Sequence, residues 1–238
     1  MNFKKALKVL IGIVVFISLP SLLLFGYAYY KYHEDIPIGE TGESADALAN
    51  KMQNALNIEA FNNVNYISFT IRNKRHYEWI KDKNTCTVTW KDFKVELNLK
   101  NHDSSLAYMH SFKVILEEKN KLLNKALDYY QKDIFWLLAP YKAFDNGVKR
   151  GIVNNGKYSD ALLITHPKSD NLPVESYLWI LDENGKPEAM KMWGNSTPID
   201  GIEASWNNWT TIESGAILPT FHKIFMFGIE ISNIKTKP

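Results

Sequence analysis

The sequence predicts an α+β fold, an antiparallel half-barrel built as a long meander with two covering helices, preceded by one N-terminal transmembrane helix. Three observations predict it. Residues 9–30 carry no charge over 22 positions, which at about 1.5 Å of helical rise per residue covers the roughly 30 Å core of a bilayer. Beyond residue 66 the apolar residues recur mostly with period two, the signature of strands with one wet face. Only two stretches after the anchor show helical spacing instead.

The first element is the anchor. Lys4, Lys5 and Lys8 precede it, whereas Lys31 is followed at once by Glu34 and Asp35, so the excess of basic residues keeps the N-terminus in the cytoplasm. This divides the chain into a cytoplasmic tail (1–8), a transmembrane anchor (9–30), a linker (31–43) and an exported β-rich domain (44–238). The expected location is the inner (cytoplasmic) membrane, single-pass, with the C-terminal domain outside the cytoplasm. A cleaved secretory signal is the competing reading, because Gly26 and Ala28 have the small-residue spacing of a signal-peptidase site. The apolar run exceeds the usual 7–15 residues of a signal core, which favours a retained signal-anchor. Tyr27, Tyr29, Tyr30 and Tyr32 cluster where the helix meets the outer interface, and the run has no cysteine for lipid attachment.

The linker contains Pro37, Gly39 and Gly42 among charges, the composition of a spacer. Ser44 is placed to cap a helix whose Leu48, Met52, Ala55 and Leu56 share a face. Ile67, Phe69 and Ile71, then Val88 and Trp90, then Phe93, Val95, Leu97 and Leu99 alternate with polar residues as strands. A second helix is expected over 112–132, with 134–138 adding a turn before Pro140. Asn146-Gly147, Asn155-Gly156 and Asn184-Gly185 are hairpin signals. The last two fall between strands expected over 151–154 and 157–165, and over 174–182 and 187–193. Segments 206–212, 217–224 and 226–234 continue the meander.

Composition excludes some functions. Setting aside Lys4, Lys5 and Lys8 leaves 25 basic against 26 acidic residues, a formal charge of −1, so nucleic acid is not an expected partner. The lone Cys86 forms no intrachain disulfide and alternates with Thr85 and Thr87 as a buried strand residue would. No phosphate-binding loop, nucleophile elbow, H-E-x-x-H or C-x-x-C motif is present, so no catalytic residue, metal or cofactor is assigned and the domain is expected to be non-enzymatic. His76 and Glu78, two apart on a strand, could offer two metal ligands, but six histidines in the chain make such a pair a common coincidence. Asn195-Ser196-Thr197 and Asn208-Trp209-Thr210 match the N-glycosylation pattern, which has meaning only in a host with that machinery.

The richest signal is aromatic. In the strand over 174–182, Tyr177, Trp179 and Leu181 share one face while Leu178 and Ile180 take the other, so both faces leave water. Met190 and Met192 project from the following strand. These five residues, Tyr177, Trp179, Leu181, Met190 and Met192, either line an apolar cavity for a lipid or acyl chain or are ordinary core packed beneath a helix.

The segments Phe135-Trp136-Leu137-Leu138-Ala139-Pro140-Tyr141-Lys142, Phe144-Asp145-Asn146-Gly147 and Tyr177-Leu178-Trp179-Ile180-Leu181-Asp182 resemble bacterial envelope proteins of the lipoprotein-localisation-factor type (LolA/LolB-like). The resemblance implies a half-barrel around helices whose apolar concave face shelters acyl chains, over roughly residues 44–234. This chain departs from those carriers by keeping a spanning helix, and a tethered domain cannot shuttle. The expectation is therefore a membrane-anchored domain binding a lipid, acyl chain or other apolar ligand. The alternative is an envelope scaffold module, with a protein partner and no ligand cavity.

Overall fold

A computed structural model of the chain describes residues 3–167, 175–194 and 197–238. Val174 of the expected strand and Asn195 and Ser196 of one glycosylation triplet lie outside the described residues.

Helix α1 (Phe3–Tyr32) contains the whole uncharged run; it is apolar and long enough to cross a membrane, and its side chains touch almost nothing else. Helix α2 (Glu43–Ala55) starts one residue before Ser44, at Gly42, whose φ of 135° suits glycine, so no side chain caps it. Its buried face is Ala45, Ala49, Met52 and Gln53, and Leu56 is buried just beyond its end. A short turn of helix, α3 (Ile58–Asn62), follows, with Asn57 Oδ1 accepting from the backbone of Ala60.

Strands β1 (Tyr66–Ile71), β2 (Arg75–Ile80), β3 (Thr85–Trp90) and β4 (Phe93–Asn98) form the expected meander. Two more follow: β5 (Leu106–Met109), which the alternation did not mark, and β6 (Phe112–Val114), where the periodicity predicted the start of a helix. The reason is local: His110 and Ser111 take left-handed backbone (φ 47° and 70°), which folds Phe112 back beside Met109. Helix α4 (Leu116–Leu138) therefore begins later than residue 112 and continues without a break to Leu138, and Pro140 sits in a single 3-10 turn (Ala139–Lys142).

After α4 come β7 (Lys149–Val153), β8 (Ala161–Thr165), β9 (Ser176–Leu181), β10 (Pro187–Trp193) and β11 (Ile202–Ser205), then β12 (Asn208–Thr211), β13 (Ile217–Ile224) and β14 (Phe227–Lys237). Among the described residues they make two antiparallel sheets and no closed barrel. One has nine strands in the order β12-β13-β14-β1-β2-β3-β4-β5-β6; the other has five, β11-β10-β9-β8-β7. The last strand returns to the first, pairing Tyr66 with Lys237 and Ile71 with Ile231. The sheets meet at a seam where Ser205 Oγ accepts from the backbone of Lys223 and its carbonyl faces His222 Nδ1 at 3.0 Å.

Each sheet packs on a helix layer. Phe69, Tyr77, Val88, Val95 and Ile231 of the large sheet bury against Leu122, Ala126, Ile134 and Leu137 of α4. Tyr177, Trp179, Met190 and Met192 of the small sheet bury against Ala49 and Met52 of α2 and the end of α4. Inside the first layer, Asp133 accepts from Arg75 and from the Tyr77 hydroxyl, with the Arg75 guanidinium 4.7 Å from the Tyr129 ring centre. This buried cluster fixes α4 to β2.

Residues 34–40, within the segment read from sequence as a spacer, lie against the outer face of the small sheet. Gly39 meets Gly151 so closely that a Cβ on Gly151 would sit 3.0 Å from the Gly39 Cα, and Glu40 and Ile152 exchange two backbone hydrogen bonds of 2.9 Å. Glu34 locks the other end. Its carboxylate accepts from Lys157, Tyr158 and Lys191, and its carbonyl accepts from Trp193 Nε1 at 2.7 Å. Desolvation opposes ionisation there, yet the donors from Lys157, Lys191 and Tyr158 hold the carboxyl at about 2.

Candidate functional site

Tyr177 and Trp179 project from β9 and Met190 and Met192 from β10, where the register sets Met190 opposite Trp179 and Met192 opposite Tyr177. The four side chains and the half-buried Leu181 therefore gather on one side of the small sheet. Three of them are enclosed by protein. Trp179 is fully buried, with Trp206 edge-on at 4.8 Å and Tyr177 at 5.6 Å; Tyr177 itself meets Phe135 at 5.8 Å; and Met190 is also fully buried. Met192 differs. It borders an open cleft of about 640 Å³.

That cleft lies where the two sheets diverge near the end of α4. The last turns of α4 bring Lys132, Phe135 and Trp136, β10 and β11 bring Met192 and Ile202, and the β13–β14 hairpin brings Ile224, Phe225 and Phe227. Thr197 and Pro198 close one side, with the Thr197 hydroxyl tied to the Gly194 carbonyl at 2.6 Å. Arg72, in the β1–β2 turn, completes the lining. The walls are thus mainly aromatic and aliphatic, with two cations and no carboxylate among the lining residues. Lys132 already pairs with Asp128 at 2.6 Å, one helical turn away. Such a site can hold an apolar chain and favour an anionic group at its rim.

His222 stands behind Trp136. It is fully buried, its ring centre lies 5.2 Å from that of Trp136 and 4.1 Å from that of Trp206, and its two nitrogens face the carbonyls of Ser205 and Trp136. Burial pulls it down to about 4 despite both carbonyls, so the ring is neutral at pH 7 and supports the cleft wall rather than meeting solvent.

The other polar groups singled out in the sequence take up structural contacts. His76 Nδ1 contacts the Thr70 hydroxyl and Glu78 accepts from Tyr66, each cross-strand to β1, and among the described residues no three His, Cys, Asp or Glu side chains gather as metal ligands. Burial lifts the Cys86 thiol far above its ordinary range, so it is not a nucleophile. His166 Nε2 lies 2.6 Å from the Tyr177 hydroxyl, and burial lowers its pKa.

No protein-family model and no curated protein matches the chain. Two solved structures are similar in outline. One is a DUF1329 family protein from Desulfovibrio piger, 11% identical, with a TM-score of 0.45 over 82% of this chain and 94% of that one. The other is a candidate outer membrane lipoprotein-sorting protein domain from Vibrio parahaemolyticus, 7% identical, with a TM-score of 0.39 over 79% of this chain and 93% of that one. Likenesses this distant carry no argument about function, which rests on the chain's own geometry.

Proposed function

We propose that this protein is a membrane-anchored, non-enzymatic domain that binds the apolar chain of a lipid or similar amphiphile in the cleft beside Phe135, Trp136 and Met192. Helix α1 is the single transmembrane anchor in this reading, with the cytoplasmic end at Lys4, Lys5 and Lys8 and the domain outside. The nine-stranded sheet acts as a half-barrel around α4, and the small sheet supplies the second wall. The observation that supports the reading best is the cleft itself. It is about 640 Å³, within the usual range for small-molecule sites, and it is lined by aromatic and aliphatic side chains beside two cations. Trp179 and Met190 serve as the packed floor behind it, and Met192 as the contact between floor and cleft.

The test uses the full chain in nanodiscs and 9,10-dibromostearate, whose bromines quench tryptophan on contact. Trp136 borders the cleft, so quenching is expected and should fall in Trp136→Phe, which removes the reporter, and in Ile224→Phe, which fills the space without adding a tryptophan. Quenching unchanged in both variants would refute the site.

One observation favours a protein-contact role as well. Phe112, Ile115 and Leu116 are 78%, 64% and 79% exposed at the edge of the large sheet, an apolar patch suited to an envelope protein partner.

A further inference from the structure

The turn between β13 and β14 carries the sequence Phe225-Met226-Phe227, and these side chains are 39%, 81% and 65% exposed. Three consecutive large apolar residues at a hairpin tip are costly in water, where turns ordinarily carry polar residues and glycine. Phe225 holds a left-handed backbone (φ 51°) that a glycine would adopt with less strain, so the aromatic is kept at a conformational cost.

The tip is fixed beside the end of the apolar helix. Tyr32, the last residue of α1, packs edge-on against Phe225 with ring centres 4.8 Å apart. Tyr32 lies two residues past the uncharged run, about 3 Å along the helix axis, the depth at which aromatic side chains meet lipid headgroups. Two residues further on, Glu34 is clamped by Lys157, Lys191 and Tyr158. The domain therefore has little slack with which to lift the hairpin away. Lys31 lies 5.2 Å from the Tyr32 ring centre, Lys223 is exposed two residues before the tip, and Arg72 lines the same cleft, so cations surround the apolar tip where anionic headgroups would lie.

We propose that Phe225, Met226 and Phe227 form a wedge seated in the lipid surface beside the end of α1, which turns the mouth of the apolar cleft toward lipid. The wedge rests on the reading of α1 as a membrane anchor. Its occupant is the bilayer itself, and the apolar ligand would enter the cleft from the headgroup layer along Phe225 and Phe227 without crossing water.

Site-directed nitroxide labelling tests this in the full chain, reconstituted in vesicles of phosphatidylcholine and phosphatidylglycerol. Cys86 is buried and is removed as Cys86→Ala. Single labels are placed at Met226→Cys, at Leu22→Cys in the middle of α1, and at Lys83→Cys in the β2–β3 turn, at the far end of the strands from Arg72. Collisions with oxygen report lipid, and collisions with a water-soluble nickel chelate report water. The expected result is a loss of nickel collisions at positions 226 and 22 and full nickel access at 83. Lipid exposure at 22 with water exposure at 226 would overturn the wedge and leave the anchor standing. Water exposure at 22 would overturn both.

Discussion

Replacing Trp179 with alanine separates the packed floor from the open cleft. Trp179 has no exposed surface, lies edge-on to Trp206 at 4.8 Å and stands opposite Leu162 and Met190 in the two neighbouring strands. Deleting a buried tryptophan costs about 3–5 kcal/mol, including the cavity left behind. Its indole N–H has no hydrogen-bond partner among the described residues, so removing it relieves part of a desolvation penalty, and the expected loss lies near the low end, about 3 kcal/mol. With a urea dependence of about 2–3 kcal/mol per molar, the unfolding midpoint of the full chain in nanodiscs falls by about 1–1.5 M, read by near-ultraviolet circular dichroism. Phe227→Ala, at a site 65% exposed, should lower the unfolding free energy by less than about 0.5 kcal/mol. If Trp179→Ala costs less than about 1 kcal/mol while dibromostearate quenching collapses, Trp179 lines the ligand site and is not part of a packed floor.

Asp133→Ala leaves Arg75 and Tyr77 buried without their acceptor, and a loss of about 3–5 kcal/mol in urea unfolding is expected; a loss below about 1 would show that the cluster does not hold α4 to β2. Glu34 titrates in the folded chain at about 2, below its ordinary 4.5, so its contribution is full above pH 4.5 and is lost as pH falls toward 2. With solvent screening that contribution is about 1–2 kcal/mol, and the stability difference between wild type and Glu34→Gln should shrink across this window; a constant difference contradicts the clamp. His222 is lowered to about 4 from 6.5, so the stability it contributes is full above pH 6.5 and falls as the pH drops through this range. Its ring resonances should titrate near 4, and a midpoint near 6.5 would mean that the Trp136 wall is open to water.

Much of the fold was legible because its signals are local. The uncharged run gave α1, and period-two alternation gave β1, β3 and β4 close to their observed limits. Asn184-Gly185 marks a hairpin: Gly185 takes φ 90°, and Asp182 Oδ1 accepts from the backbone of Asn184 and Lys186. Asn155-Gly156 misled as to type, because Asn155 uses its side chain to accept from Lys157 and Tyr158, and the loop runs over residues 154–160. Asn146-Gly147 leads from the 3-10 turn into β7 rather than joining two strands. Strands β5 and β6 were hidden because left-handed His110 and Ser111 turn the chain without a glycine to announce it.

The candidate site was legible only in part. Alternation on β9 and β10 identified the face that leaves water, but it could not distinguish enclosed Trp179 from Met192 at the cleft. That distinction depends on Arg72, Trp136, Ile202 and Phe227, which are far apart in sequence and meet only when β14 returns to β1 and the small sheet turns back at the seam. The hairpin tip did leave a trace: Phe225-Met226-Phe227 interrupts the alternation with three consecutive apolar residues at the point where a turn requires polar ones.

The most direct measurement is photo-crosslinking of the full chain in nanodiscs with a palmitate bearing a diazirine near its methyl end, followed by peptide mapping. Binding in the cleft predicts adducts on Phe135, Met192, Ile202 or Ile224, competed away by unlabelled palmitate. Adducts confined to residues 9–30, with none on those four, would contradict it.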